Sequence, residues 1–150
     1  MIIFPPQEFI TWTDTLTQFP WPIQVDDFAP YAEKLGWKPT SLPNEFTVFP
    51  DNDYEFTTLS SSETGDVYKL FLYMAVNDLK NVEGAAELND HLVSCVAAGK
   101  KAWGEPFLLE AGDDPTATWR FPGDMFTQVT GGSRAVLFRF FTPQGQWYFA

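Results

Sequence analysis

The side chains that could do nucleophilic or metal chemistry in this sequence are few and lie close together. His91 is the only histidine and Cys95 the only cysteine. Four residues apart, they project from the same side of any helix that contains them. A Cys–His nucleophile needs an accessible thiolate and an imidazole oriented by a third group. Cys95 instead falls in register with Leu88, Leu92 and Val96, so a buried structural cysteine is expected. Zinc needs several Cys or His ligands at close spacing, which two residues do not supply. Asp51-Asn-Asp-Tyr-Glu55 opens like a calcium loop, but position six is Phe56 rather than Gly and position twelve is Ser62 rather than Glu. A turn between strands is expected there instead, and Asp113-Asp114-Pro115 reads as a turn as well. The acidic residues offer many carboxylate pairs for glycoside hydrolysis, and none is singled out. Gly131-Gly132 lacks the following Lys and helix of a phosphate loop. Trp21, Trp37, Trp103, Trp119 and Trp147 would suit a sugar-stacking surface, yet Trp12 and Trp103 fall on apolar helix stripes and such aromatics are mostly core. No catalytic residue, metal ligand or cofactor is assigned.

Charge is the stronger signal. The chain carries 20 acidic and 9 basic residues, a net −11. An acidic surface repels phosphate backbones and anionic lipid, so neither nucleic acid nor membrane is an expected partner. Between Lys38 and Lys69 there is no basic residue, while Glu45, Asp51, Asp53, Glu55, Glu63 and Asp66 all fall there. The plain reading is a solvated face. The sharper one is a docking face for a basic protein, with complementary charge raising association rate and selectivity. Its candidate residues are Asp51, Asp53, Tyr54, Glu55, Phe56, Glu63 and Asp66.

These residues need a scaffold, and 150 residues with 45% hydrophobic content suffice for one domain, residues 1–150, with a sizeable core. The first residues lack the basic, apolar and small-residue succession of a signal peptide, no apolar run approaches the ~20 residues of a membrane span, and a lone cysteine suits a reducing compartment. A cytoplasmic location is expected.

Phe9, Trp12, Leu16 and Phe19 predict a helix over 7–18, broken by Pro20-Trp21-Pro22. A second, short helix is predicted from Asp26 or Asp27, either able to cap it, to a stop at Gly36. Strands follow at 45–49, 54–59 and 67–76, the last with Leu70, Leu72 and Met74 on one face and Lys69 and Phe71 on the other. A long helix is predicted over 82–103, ended by Gly104 and Pro106. Strands near 107–110, 116–121, 125–130, 134–142 and 146–149 complete a meander, with turns at Phe121-Pro-Gly-Asp124, Gly131-Gly132 and Thr142-Pro-Gln-Gly145. The order predicts an α+β fold: one antiparallel sheet with N-terminal helices and one long central helix packed on one face.

That order is similar to secretion-chaperone-like α+β folds. Phe19-Pro-Trp-Pro22, Asp26-Asp27-Phe28, Leu35-Gly36-Trp37, Trp103-Gly-Glu-Pro106 and Trp119 resemble an uncharacterised family of small acidic actinobacterial proteins. The resemblance carries no catalytic residues. Proteins of this type resemble immunity proteins encoded beside secreted toxins, which implies a monomer or weak homodimer that blocks a basic toxin. The alternatives are a secretion chaperone or adaptor holding a client segment, and a small hydrolase or carbohydrate binder.

Overall fold

A computed structural model describes residues 2–48, 56–77 and 81–149. Its strands are β1 (Ile2–Ile3), β2 (Lys38–Pro39), β3 (Glu45–Thr47), β4 (Phe56–Ser61), β5 (Val67–Val76), β6 (Leu108–Glu110), β7 (Thr116–Phe121), β8 (Met125–Thr130) and β9 (Ala135–Phe141). Among the described residues they form a single antiparallel sheet in the order β2-β3-β4-β5-β9-β8-β7-β6, with β1 pairing to the far end of β5. The helices are α1 (Pro6–Leu16), α2 (Ala29–Lys34) and α3 (Val82–Trp103). The chain is therefore α+β, as the pattern of periods predicts.

Parity in the strands decides which side is core. Leu70 and Leu72 of β5, Phe138 and Phe140 of β9, Val129 of β8 and Trp119 of β7 are buried on the helix side. The helices are tied to that face by polar as well as apolar contacts. Thr13 and Thr127 share a hydroxyl–hydroxyl bond of 2.9 Å from α1 to β8, and the Trp103 indole N–H donates to Asp14 at 3.1 Å, joining α3 to α1. Phe9 lies edge-on to Trp103 at 5.5 Å and near Trp119 at 6.3 Å, the offset geometry aromatic quadrupoles prefer. α3 begins where Asn81 accepts from the Gly84 N–H at 2.7 Å, and ends at Gly104, whose φ of 85° is glycine's to adopt.

Besides adding the unpredicted two-residue strands β1 and β2, the structure departs from the sequence expectation in the following ways. Asp26 and Asp27 do not cap α2; they lie in a 3-10 turn, Val25–Asp27, and α2 starts without a side-chain cap, with Pro30 in its first turn. The strand expected to end at Leu59 continues to Ser61 in β4, Phe56–Ser61, while Tyr54 and Glu55 of that expectation lie outside the described residues. Gly131 and Gly132 do not make a tight two-residue hairpin: four residues link β8 to β9, and neither glycine takes a positive φ. Gly131 answers to packing, since a Cβ there would sit 2.5 Å from Leu92 of α3. Finally, the terminal strand expected at 146–149 is a 3-10 helix, Pro143–Phe149.

Candidate functional site

Of the docking-face candidates, Asp51, Asp53, Tyr54 and Glu55 lie outside the described residues, as does the calcium-like segment they belong to. Phe56 opens β4, its backbone paired with Thr47. Glu63 is exposed in the turn after β4. Asp66 is held by that turn: its carboxylate accepts from the Thr64 hydroxyl at 3.2 Å, and its backbone carbonyl accepts from the Ser62 N–H at 2.9 Å. Phe56 and the Glu63–Asp66 turn thus stand at opposite ends of β4, roughly 16 Å apart at ~3.3 Å per residue, and the described residues alone do not gather into one patch.

The His–Cys pair is in place but closed. Cys95 Sγ lies 3.7 Å from His91 Nε2, with both side chains buried against the sheet. Burial pushes the thiol up to about 12, so it stays protonated and non-nucleophilic at neutral pH. Burial also lowers the His91 pKa below its ordinary value. An unfolded histidine protonates near ~6.5. The stability tied to neutral His91 is therefore complete above that pH, declines as pH falls through it, and stops declining below the lower folded pKa. Between pH 7.5 and 5.5 the parent should lose more melting temperature than His91→Gln; parallel profiles would mean that His91 titrates alike in both states. Among the described residues no group of three or more His, Cys, Asp or Glu could hold a metal ion, and no helix is long and apolar enough to cross a membrane.

The feature the sequence reading missed lies on the other side of the sheet. Parity places Lys69, Phe71 and Tyr73 of β5, Leu137, Arg139 and Phe141 of β9, Phe126, Gln128 and Thr130 of β8, and Thr116, Thr118 and Arg120 of β7 on the face away from the helices. The C-terminal 3-10 helix folds back over this face. It is anchored by Thr142, whose hydroxyl donates to the Val67 carbonyl at 2.7 Å and whose N–H donates to Tyr68 at 3.1 Å. Its aromatics then run in a line. Trp147 contacts Tyr68 at 5.8 Å, Tyr148 lies 4.9 Å from Phe141, and Phe149 stacks on Phe126 at 4.1 Å. Phe107 joins from the other side, 5.8 Å from Phe126, and the Arg120 guanidinium lies 5.8–5.9 Å from both rings. Although tethered, Trp147 and Tyr148 are 61% and 57% exposed, and Phe107 is 52% exposed.

Between this aromatic rim and the sheet is a trough of about 480 Å³ with Gln128, Thr130 and Arg139 among its lining residues. A second hollow of about 430 Å³ adjoins it, sharing Thr130 and Arg139 and running to the β8–β9 connection. The floor is a hydrogen-bonded polar row. Arg139 donates to Thr130 at 3.2 Å, the Thr130 and Thr116 hydroxyls bond at 3.0 Å, and Gln128 donates to Thr118 at 3.1 Å. The arrangement can bind; it presents neither an activated nucleophile nor, among the described residues, a metal cluster.

No curated protein and no solved structure matches the chain. The profile of a family of unknown function, DUF6301, matches residues 7–142, from α1 through the last strand, and the chain belongs to that family.

Proposed function

We propose that this protein is a non-catalytic protein-binding domain of the immunity-inhibitor kind, which neutralises a basic toxin by covering it. The observation that carries the reading is the exposed aromatic rim on the sheet face away from the helices. Soluble monomers rarely leave Trp, Tyr and Phe exposed side by side, and here Trp147, Tyr148 and Phe107 are all more than half exposed. Trp, Tyr and Arg are the residue types in which tight interfaces concentrate energy. The net charge of −11 supplies the complementary contribution: it steers a basic partner to the domain, and the aromatic rim holds it.

The two contributions separate experimentally. With the purified partner in hand, Trp147→Ser/Tyr148→Ser should speed dissociation and weaken binding by up to roughly a thousandfold, each hot-spot ring contributing about 2 kcal/mol. The charge-reversed triple variant of Asp51, Asp53 and Glu55 to Lys should instead slow association and flatten its salt dependence. If both variants bind as the parent does, neither surface is the interface.

A second reading, a chaperone or adaptor that holds a client segment, is favoured by one observation. β6 is an edge strand with Leu108 and Leu109 exposed, and an edge beside a trough accepts an added strand. Client binding would leave the Asp51/Asp53/Glu55 variant unimpaired.

A further inference from the structure

The trough holds a cation, Arg139, that no carboxylate pairs with among the described residues. Arg139 sits midway along β9, half-buried, and its guanidinium donates to the Thr130 hydroxyl at 3.2 Å. Among the described residues it forms no ion pair, in a chain whose acidic residues outnumber its basic ones by 20 to 9. A guanidinium has five N–H donors, and withdrawing them from water without an anion is costly. Lys69 stands on the same face of the neighbouring strand, two register positions along from Phe71, the partner of Arg139. Its pKa is lowered, first by burial and then by the charge of Arg139, so the two cations share one positive field. The aromatic flank of the trough, Phe107, Tyr148 and Phe149, is flat and apolar.

A cationic fork at the base and flat apolar walls above define a ligand with the converse shape. We propose that this trough binds a small organic anion: a carboxylate on Arg139, carried by a flat apolar body that packs against Tyr148 and Phe107. The planar fork matches two carboxylate oxygens at once, which a point charge does not. Glu110 lines the same cavity, and its negative charge opposes a doubly charged phosphate more than a singly charged carboxylate. The site does not depend on a protein partner. A chain that binds the small anion but captures no protein would keep this inference and lose the one above.

The test is a ¹H–¹⁵N titration of the full chain with 3-phenylpropionate, its neutral amide and phenyl phosphate, on the parent, Arg139→Gln and Arg139→Lys. The expected result is saturable shifts by 3-phenylpropionate at the amides of Gln128, Thr130, Arg139 and Tyr148. Arg139→Gln should weaken binding roughly ten- to a hundredfold, the range for losing a charge-assisted hydrogen-bonded pair. Arg139→Lys should bind between the two, because it keeps the charge and loses the fork. If Arg139→Gln does not fold, the parent's preference for the acid over its amide and the Arg139→Lys affinity carry the test. Equal binding of acid and amide, saturation at other amides, or no saturable shift overturns the proposal. Tighter binding of phenyl phosphate overturns the carboxylate assignment.

Discussion

Replacing Gly99 with alanine should destabilise the domain by about 1–3 kcal/mol, although the same change in a free helix stabilises it by about 1 kcal/mol. The helix propensity gain is real, and the packing decides against it. Gly99 is buried where α3 crosses β7, and an added Cβ would lie 2.5 Å from Cζ2 and 2.6 Å from Cη2 of Trp119. That ring has little freedom to move away. Its indole N–H donates to the Gly104 carbonyl at 3.0 Å, and its faces and edges meet Phe9 and Trp103. Gly99→Val adds a β-branched side chain to the same clash and should cost more than the alanine change. Trp119→Ala, which leaves a cavity between helix and sheet, should cost about 3–5 kcal/mol, roughly 10 °C or more in melting temperature for a chain of this size. Because the clash belongs to the pair, Gly99→Ala should cost less in a Trp119→Phe background, a coupling that thermal or denaturant unfolding of the double-mutant cycle measures. A Gly99→Ala protein more stable than the parent would show that α3 does not rest on Trp119 as described.

Much of this fold was legible because strong periods leave little choice. Val67–Val76, Val82–Trp103, Thr116–Phe121 and Met125–Thr130 have the predicted bounds. In each, apolar positions recur at a spacing only one element can satisfy. The C-terminal segment misled for a physical reason. Trp147, Tyr148 and Phe149 favour strands by type, but three consecutive aromatics do not alternate. Gly145, whose added Cβ would collide with the Tyr68 carbonyl, lets the chain approach β5 and turn back over the sheet. The trough stayed hidden because it has no local signature. Thr118, Gln128 and Arg139 are each an unremarkable outward-facing polar residue on a separate strand. Only the register, Thr118 opposite Gln128 and Gln128 opposite Arg139, brings them into one row. A cation on the outward parity of a strand ending in Phe140-Phe141 was the one available hint. The acidic stretch, by contrast, was conspicuous in one dimension because its residues are neighbours in sequence.

Thr142→Val should cost about 1–3 kcal/mol and loosen the aromatic rim, although the replacement has nearly the same shape. Thr142 is fully buried, so the apolar change itself gives no penalty and the hydroxyl carries the effect. That hydroxyl donates to the Val67 carbonyl at 2.7 Å and accepts from the Gln144 N–H at 3.2 Å. It thereby binds the first turn of the C-terminal helix to the start of β5. Removing it takes a partner from two backbone groups at once, and the desolvation penalty of an unmet group is about 1–3 kcal/mol. The Thr142 backbone N–H still reaches Tyr68 at 3.1 Å, so the segment should loosen rather than detach. Thr142→Ser keeps the hydroxyl and should behave much closer to the parent. The readouts are faster hydrogen exchange at the Gln144, Trp147 and Tyr148 amides and a changed near-ultraviolet dichroism from Trp147 and the Phe149–Phe126 stack. The partner binding proposed for the rim should weaken with it, because Thr142 helps to position those rings. If Thr142→Val leaves exchange and stability as in the parent, the rim is held by its ring contacts alone, and its exposure would need no anchor in β5.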